Sequence, residues 1–209
     1  MSGFVQPMHE SAPRAALVAF IRRAARPIDK FSHQARLYRL TQQIGAGEIY
    51  DDEVVFAAAW LHDLGVFIGH RPENLAQLAT WDHVAYVLER TPGILAECGY
   101  PPEKVPAVRE TIRTHQPADS PTTFEGALLR DADILEQLGA TAILRTVSKV
   151  GRDTRFATFA DALQVLQRHL DQLPDQLRLE RARDLAIPRI RALAAFLTAA
   201  AAETGPIPW

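Results

Sequence analysis

The chain has 209 residues, 47% of them hydrophobic and 23% charged, which suits one compact domain with a sizeable core and excludes a disordered polymer. A formal net charge of -2 gives no bulk attraction to a nucleic-acid polymer or to an anionic membrane, so any phosphate must be bound locally. The single cysteine, Cys98, excludes an intrachain disulfide, the N-terminus lacks the basic-then-apolar pattern of a signal peptide, and the apolar runs stop short of a membrane span; a cytoplasmic location is expected.

Alternating β-branched runs are absent, while apolar residues recur at helical spacing from Ala15 to Ala202, so an all-α fold is expected, a single compact bundle of about eight or nine helices. The first helix is placed at roughly 12–25 and the second at roughly 30–46, after Pro27 and an Asp29 cap. In that second helix His33 leads a stripe of Leu37, Leu40 and Ile44, and its imidazole points to the core. A third helix, at roughly 51–64, is headed by Asp51 and Asp52 and runs through Val54-Val55-Phe56-Ala57-Ala58-Ala59-Trp60-Leu61 into His62-Asp63. A loop from Gly65 to Gln77 follows, then a helix at roughly 78–90 carrying His83 one turn before Val87. The next, at roughly 102–115, opens at Pro101-Pro102, presents Val105, Val108, Ile112 and His115 on one face, and is stopped by Pro117. After a second loop, helices are expected at roughly 123–138, 139–150, 157–172 and 178–203, the last a terminal amphipathic helix.

His62-Asp63 carries the most chemistry. It closes an apolar run, and burying an unpaired imidazole and carboxylate there costs several kcal/mol, roughly, so the pair needs a hydrogen-bond partner, a counter-charge or a metal ion. Leu128-Leu129-Arg130-Asp131-Ala132-Asp133-Ile134-Leu135 repeats the problem with two carboxylates inside an apolar helix. A buried ion pair with an arginine such as Arg36 or Arg113 would answer it for the aspartates alone. A metal site answers it for the histidines as well, because neutral imidazoles and ionised carboxylates suit zinc, iron, manganese or nickel. Periodicity aligns Asp131, rather than Asp133, with Phe124, Leu128, Leu135 and Leu138.

His33-x-x-Arg36, then Ala59-Trp60-Leu61-His62-Asp63-Leu64-Gly65, then Ala132-Asp133-Ile134-Leu135, on a helical chain, resemble the motifs of the HD-domain superfamily of metal-dependent phosphohydrolases. The resemblance spans residues about 30–140, with helices from about 141–203 packing on that core. Asp131 to Gly139 with Arg145, and Ala182-Arg183-Asp184-Leu185-Ala186, resemble more loosely a group of small bacterial HD hydrolases. The resemblance implies that His33, His62, Asp63 and Asp133 bind a divalent ion (Mn, Fe, Ni, Zn or Mg), that Asp63 helps align a water, and that His83 and His115 flank the open side, where they bind phosphate, act on the leaving group or hold a second ion. Arg36, one turn after His33, is the expected phosphate clamp. The expected substrate is a small phosphorylated molecule or nucleotide. The motifs of the cyclic-di-GMP, stringent-response and deoxynucleotide triphosphohydrolase branches are missing. The same ligand set also resembles that of HD-type di-iron oxygenases, with a small-nitrile hydratase and a non-catalytic nucleotide-sensing module as further alternatives.

Trp60, Trp81 and Phe67 are read as core or pocket wall, His70, Arg71 and His169 as surface, and Cys98 as a small buried hydrophobe. The terminal Pro206-Ile207-Pro208-Trp209 would suit packing on a second copy, a homodimer.

Overall fold

The computed structural model describes residues 11–153 and 155–204. These form ten α-helices, with no named strand and one isolated bridge between Ile68 and Arg71. In order they are α1 (Ala12–Ala24), α2 (Asp29–Ile44), α3 (Asp52–Leu61), α4 (Leu75–Ala79), α5 (His83–Glu97), α6 (Val105–Arg113), α7 (Phe124–Glu136), α8 (Gly139–Val147), α9 (Phe159–Gln172) and α10 (Glu180–Thr204). The all-α expectation holds, and the helix beyond the expected count is the short α4.

The core is built around α3. Asp51 caps it by accepting the Val54 N–H at 3.3 Å, Asp52 and Glu53 favour its N-terminal dipole, and every residue from Val54 to Leu61 is buried. α1, α2, α6 and α7 pack around this rod, which is why it is apolar on all sides. α2 buries Leu37, Leu40 and Ile44 in the core, and α6 buries Val108 and Ile112. One continuous hydrophobic core then runs from Leu17 on α1 to Leu193 on α10. α10 has the length and apolarity of a membrane span, yet it packs on α7, α8 and α9 and buries Ala182, Ala186 and Leu193.

Four helices near the site differ from expectation at their ends. α2 starts at Asp29, so Ile28 rather than Asp29 takes the cap position. α3 stops at Leu61 instead of 64, with His62 as its C-cap and a 3-10 turn over Leu64–Val66. The helix placed at 78–90 begins only at His83, capped by the Asp82 carboxylate, and continues through Pro92 to Glu97. The one placed at 102–115 begins as a 3-10 turn over Pro102–Lys104, and α6 ends at Arg113, so that His115 lies beyond the helix. The terminal Pro206-Trp209 segment lies outside the described residues.

Candidate metal centre

The end of α3 sets the site. Its last carbonyls carry the negative end of the helix dipole, a favourable place for a cation. His62 is 1% exposed, and its ring is fixed because Nδ1–H donates to the Ala59 carbonyl at 3.0 Å. A carbonyl only accepts, so the proton is on Nδ1 and the Nε2 lone pair is free. That Nε2 is buried without a hydrogen-bond partner, 3.7 Å from the Asp63 carboxylate.

His33 comes in from α2. Its Nε2 lies 3.7 Å from both Asp63 and Asp133, while Nδ1–H donates to the buried Glu136 carboxylate at 3.2 Å. This is the carboxylate-histidine arrangement that fixes a ligating tautomer and raises its basicity. Ligand atoms of His33, His62 and Asp133 all lie within 4.8 Å of one another. His115, just past α6, donates Nδ1–H to the Ile112 carbonyl at 2.6 Å, which leaves its Nε2 an acceptor too; its ring centroid is 5.1 Å from that of His62. His83 lies edge-on to His115 at 6.3 Å. Gly65 makes this approach possible, because a Cβ there would come within 2.6 Å of the His83 carbonyl.

The orphaned His62 Nε2 and the converging oxygen and nitrogen donors fit a divalent cation. Electrostatics agree. Burial pushes the His62, His83 and His115 imidazoles down from their usual range, so they are neutral donors. Burial alone would raise the Asp63 carboxyl, yet it lies well below the usual range, with the Lys30 ammonium among the groups that favour its ionised form.

The two aspartates of α7 separate cleanly. Asp133 faces His33 and takes a second contact from Gln137 at 3.2 Å. Asp131, fully buried, accepts from Arg130 at 3.0 Å and from the N–H groups of Arg178 and Leu179 at 2.9 and 2.7 Å. The ion pair considered for these carboxylates therefore exists, with Arg130 as partner rather than Arg36 or Arg113.

The donors open on a cleft of about 320 Å³ that is also lined by Lys30, Arg145, Lys149, Arg155 and His169. Arg36 does not line it: its Nε pairs with Glu136 at 3.2 Å and its guanidinium also reaches Ser32, so the expected clamp is a brace behind His33. Arg145 reaches the same carboxylate at 3.2 Å from the cleft side. Glu136 is 2% exposed; burial would raise its carboxyl, but the His33 hydrogen bond, Arg36 and Arg145 hold it below the usual range.

His169 was expected at the surface and instead lines the cleft from α9, with a buried Nδ1. Its spacing from Ala162, Leu166 and Leu173, all buried, was the available signal. Glu136 was legible in the same way, one turn after Asp133. His70 is also not a solvent residue: Nδ1 hydrogen-bonds the Tyr86 hydroxyl at 2.9 Å. Arg71 borders a neighbouring cavity, and Cys98 is only half-buried.

No family model and no curated protein matches the sequence. Solved structures do. A predicted HD-superfamily hydrolase from an uncultured Thermotogales bacterium is 26% identical, over 91% of this chain and 92% of its own, at a TM-score of 0.64. Bacillus subtilis YpgQ, solved in complex with ADP, is 21% identical over 93% of this chain and all of its own, at 0.69. An HD-superfamily hydrolase from Bacillus thuringiensis is 20% identical over 91% of this chain and 95% of its own, at 0.67. A shared helical fold over nine-tenths of the chain, with His62-Asp63 ending its central helix, makes this protein similar to solved HD-superfamily hydrolases.

Proposed function

We propose that this protein hydrolyses a phosphate ester or nucleotide with a divalent cation held by His33, His62, Asp63 and Asp133. The observation that carries the reading is that two unlike sets of side chains line one cleft. One set offers imidazole lone pairs and ionised carboxylate, and the other is Lys30, Arg145, Lys149 and Arg155. The first suits a cation; the second suits an anion such as a phosphoryl group. When bound, the cation supplies Lewis acidity, acidifying a water from a pKa of about 15.7 toward ~7 and offsetting charge on the phosphoryl group.

The chain's own residues do the rest. Asp63, kept ionised by its neighbours, aligns the attacking water by accepting its hydrogen bond. Arg145, Lys149 and Arg155 hold the phosphoryl oxygens, a role that passes to them from Arg36. His83, at the mouth, faces the leaving group. His115, with its proton committed to Ile112, accepts through Nε2 and is suited to a water or a cation, so it cannot donate to an ionised oxygen while neutral. YpgQ, a protein of similar fold, was solved in complex with ADP, which makes nucleotides the first compounds to test.

The same lone pair on His115 favours a second reading. With His83 beside it, the donors are numerous enough for two ions, as an HD-type di-iron oxygenase would need. Elemental mass spectrometry on protein purified without oxygen, run beside assays of phosphate and pyrophosphate release, separates the two. The expected result is a non-iron divalent ion and phosphate release, both lost in His62→Ala. Two irons per chain with oxygen-dependent turnover would replace hydrolysis by oxidation, and full activity in His62→Ala would overturn the site.

A further inference from the structure

The cleft does not end at His83. A second cavity of about 660 Å³ adjoins it, and the two share Val66, His83 and Arg155 as common walls. The compartments differ in character. The inner one, about 320 Å³, is ringed by charged and titratable side chains and has room for a phosphoryl group with its cation. The outer one is faced by Ile68, Leu75, Leu78 and Trp81, with arginine and carboxylate groups set among them.

Trp81 is held ready as a wall. Its Nε1–H donates to the Gly65 carbonyl at 2.8 Å, and its ring packs at a tilt on Tyr86 with centroids 5.3 Å apart. Gly65 follows the His62-Asp63-Leu64 segment directly, so the hydrogen bond ties the indole to the turn that builds the metal centre. A fixed indole beside an open apolar cavity costs little to organise on binding. Ile68 and Leu75 are 49% and 63% exposed, apolar surface left at the cavity rather than folded into the core.

We propose that this outer cavity is the leaving-group subsite, and that it seats a flat aryl or heteroaryl group against Trp81. The inference rests on the phosphohydrolase reading for the inner cleft and specifies its substrate class: phosphate esters or anhydrides carrying an aromatic group, in preference to small alkyl phosphates. His83, common to both compartments, marks where the scissile bond lies between them.

Titration calorimetry with 1-naphthyl phosphate, ethyl phosphate and 1-naphthol tests it on the full-length chain loaded with a divalent ion found to support no turnover, so that the metal centre stays intact. 1-Naphthyl phosphate should bind at least about tenfold tighter than ethyl phosphate, the scale of one aromatic stacking contact. Trp81→Ala and Leu75→Asp should each remove that advantage and leave the ethyl phosphate affinity within about twofold. Leu75 is exposed, so its variant tests the cavity without disturbing the core. 1-Naphthol separates this claim from the wider one, since it carries no phosphorus: binding that both variants weaken upholds the aromatic seat whether or not any phosphate is cleaved. Equal affinity for the two phosphates together with no binding of 1-naphthol overturns it.

Discussion

Asp131 and Asp133 stand two residues apart on α7, and opposite faces of that helix treat a carboxylate in opposite ways. Around Asp131 both carboxylate oxygens are answered, by Arg130 and by the N–H groups that open the approach to α10. Arg130 in turn grips the carbonyls of Pro117 and Gln176, so this face ties the loop after His115 to the C-terminal helices. Around Asp133 the nearest imidazole is 3.7 Å away, too far for a hydrogen bond, and the His62 nitrogen behind it is unpartnered. A charge in an apolar helix is therefore not by itself a sign of function. What distinguishes a brace from a site is whether its partners are already supplied by the chain.

The sharpest way to break the comparison is to remove each carboxylate in turn. Asp133→Ala should abolish metal retention and turnover while unfolding free energy changes by less than about 1 kcal/mol, because no buried partner is orphaned. Asp131→Ala should instead cost about 3–5 kcal/mol in denaturant unfolding, since it strands a buried guanidinium. Metal loss in Asp131→Ala with unchanged stability would reverse the assignment of the two faces. Glu136→Gln weakens the hydrogen bond that sets the His33 tautomer and should lower metal affinity by about 10–100-fold in chelator competition. Gly65→Ala would force His83 away from the turn and should cost about 1–3 kcal/mol, seen in thermal unfolding, together with a fall in turnover.

The smallest effect expected is one of pH. Burial, with Lys30, Arg145 and Arg155 nearby, lowers the Lys149 ammonium from 10.5 to about 8. Between those values the unfolded chain holds more protons than the folded one, so this residue's contribution to stability rises with pH across that window and is unfavourable below it. Over the same window the cleft loses a positive charge, and affinity for inorganic phosphate should fall as pH passes about 8. Lys149→Met should flatten that fall; an unchanged profile would remove Lys149 from the groups proposed to hold the anion.

Much of the architecture was legible along the chain. Nine of the ten helices follow from apolar periodicity and from caps such as Asp51, because a helix signals itself within a few residues. α4 was hidden because its five residues bury nothing and so leave no periodic stripe. The start of α5 at His83 was missed for a related reason, since apolar residues before it line a cavity rather than the core. At the site, His33, His62, Asp63 and Asp133, singled out by motif and by the cost of burying them, lie close together, whereas periodicity alone pointed to Asp131.

Sequence by itself determined that the fold is helical, that His62-Asp63 is too costly to bury unpaired, and that imidazoles and carboxylates are the groups seeking a partner. These are local consequences of spacing and desolvation. Tertiary structure alone decided that Glu136 fixes His33 across 103 residues, that Arg36 pairs with the same carboxylate, and that Lys30, Arg145, Lys149, Arg155 and His169 line one cleft. Hydrogen-bond geometry and electrostatic fields depend on distance in space, and the residues that set them here come from α2, α7, α8, α9 and the segment between the last two, which no local pattern brings together.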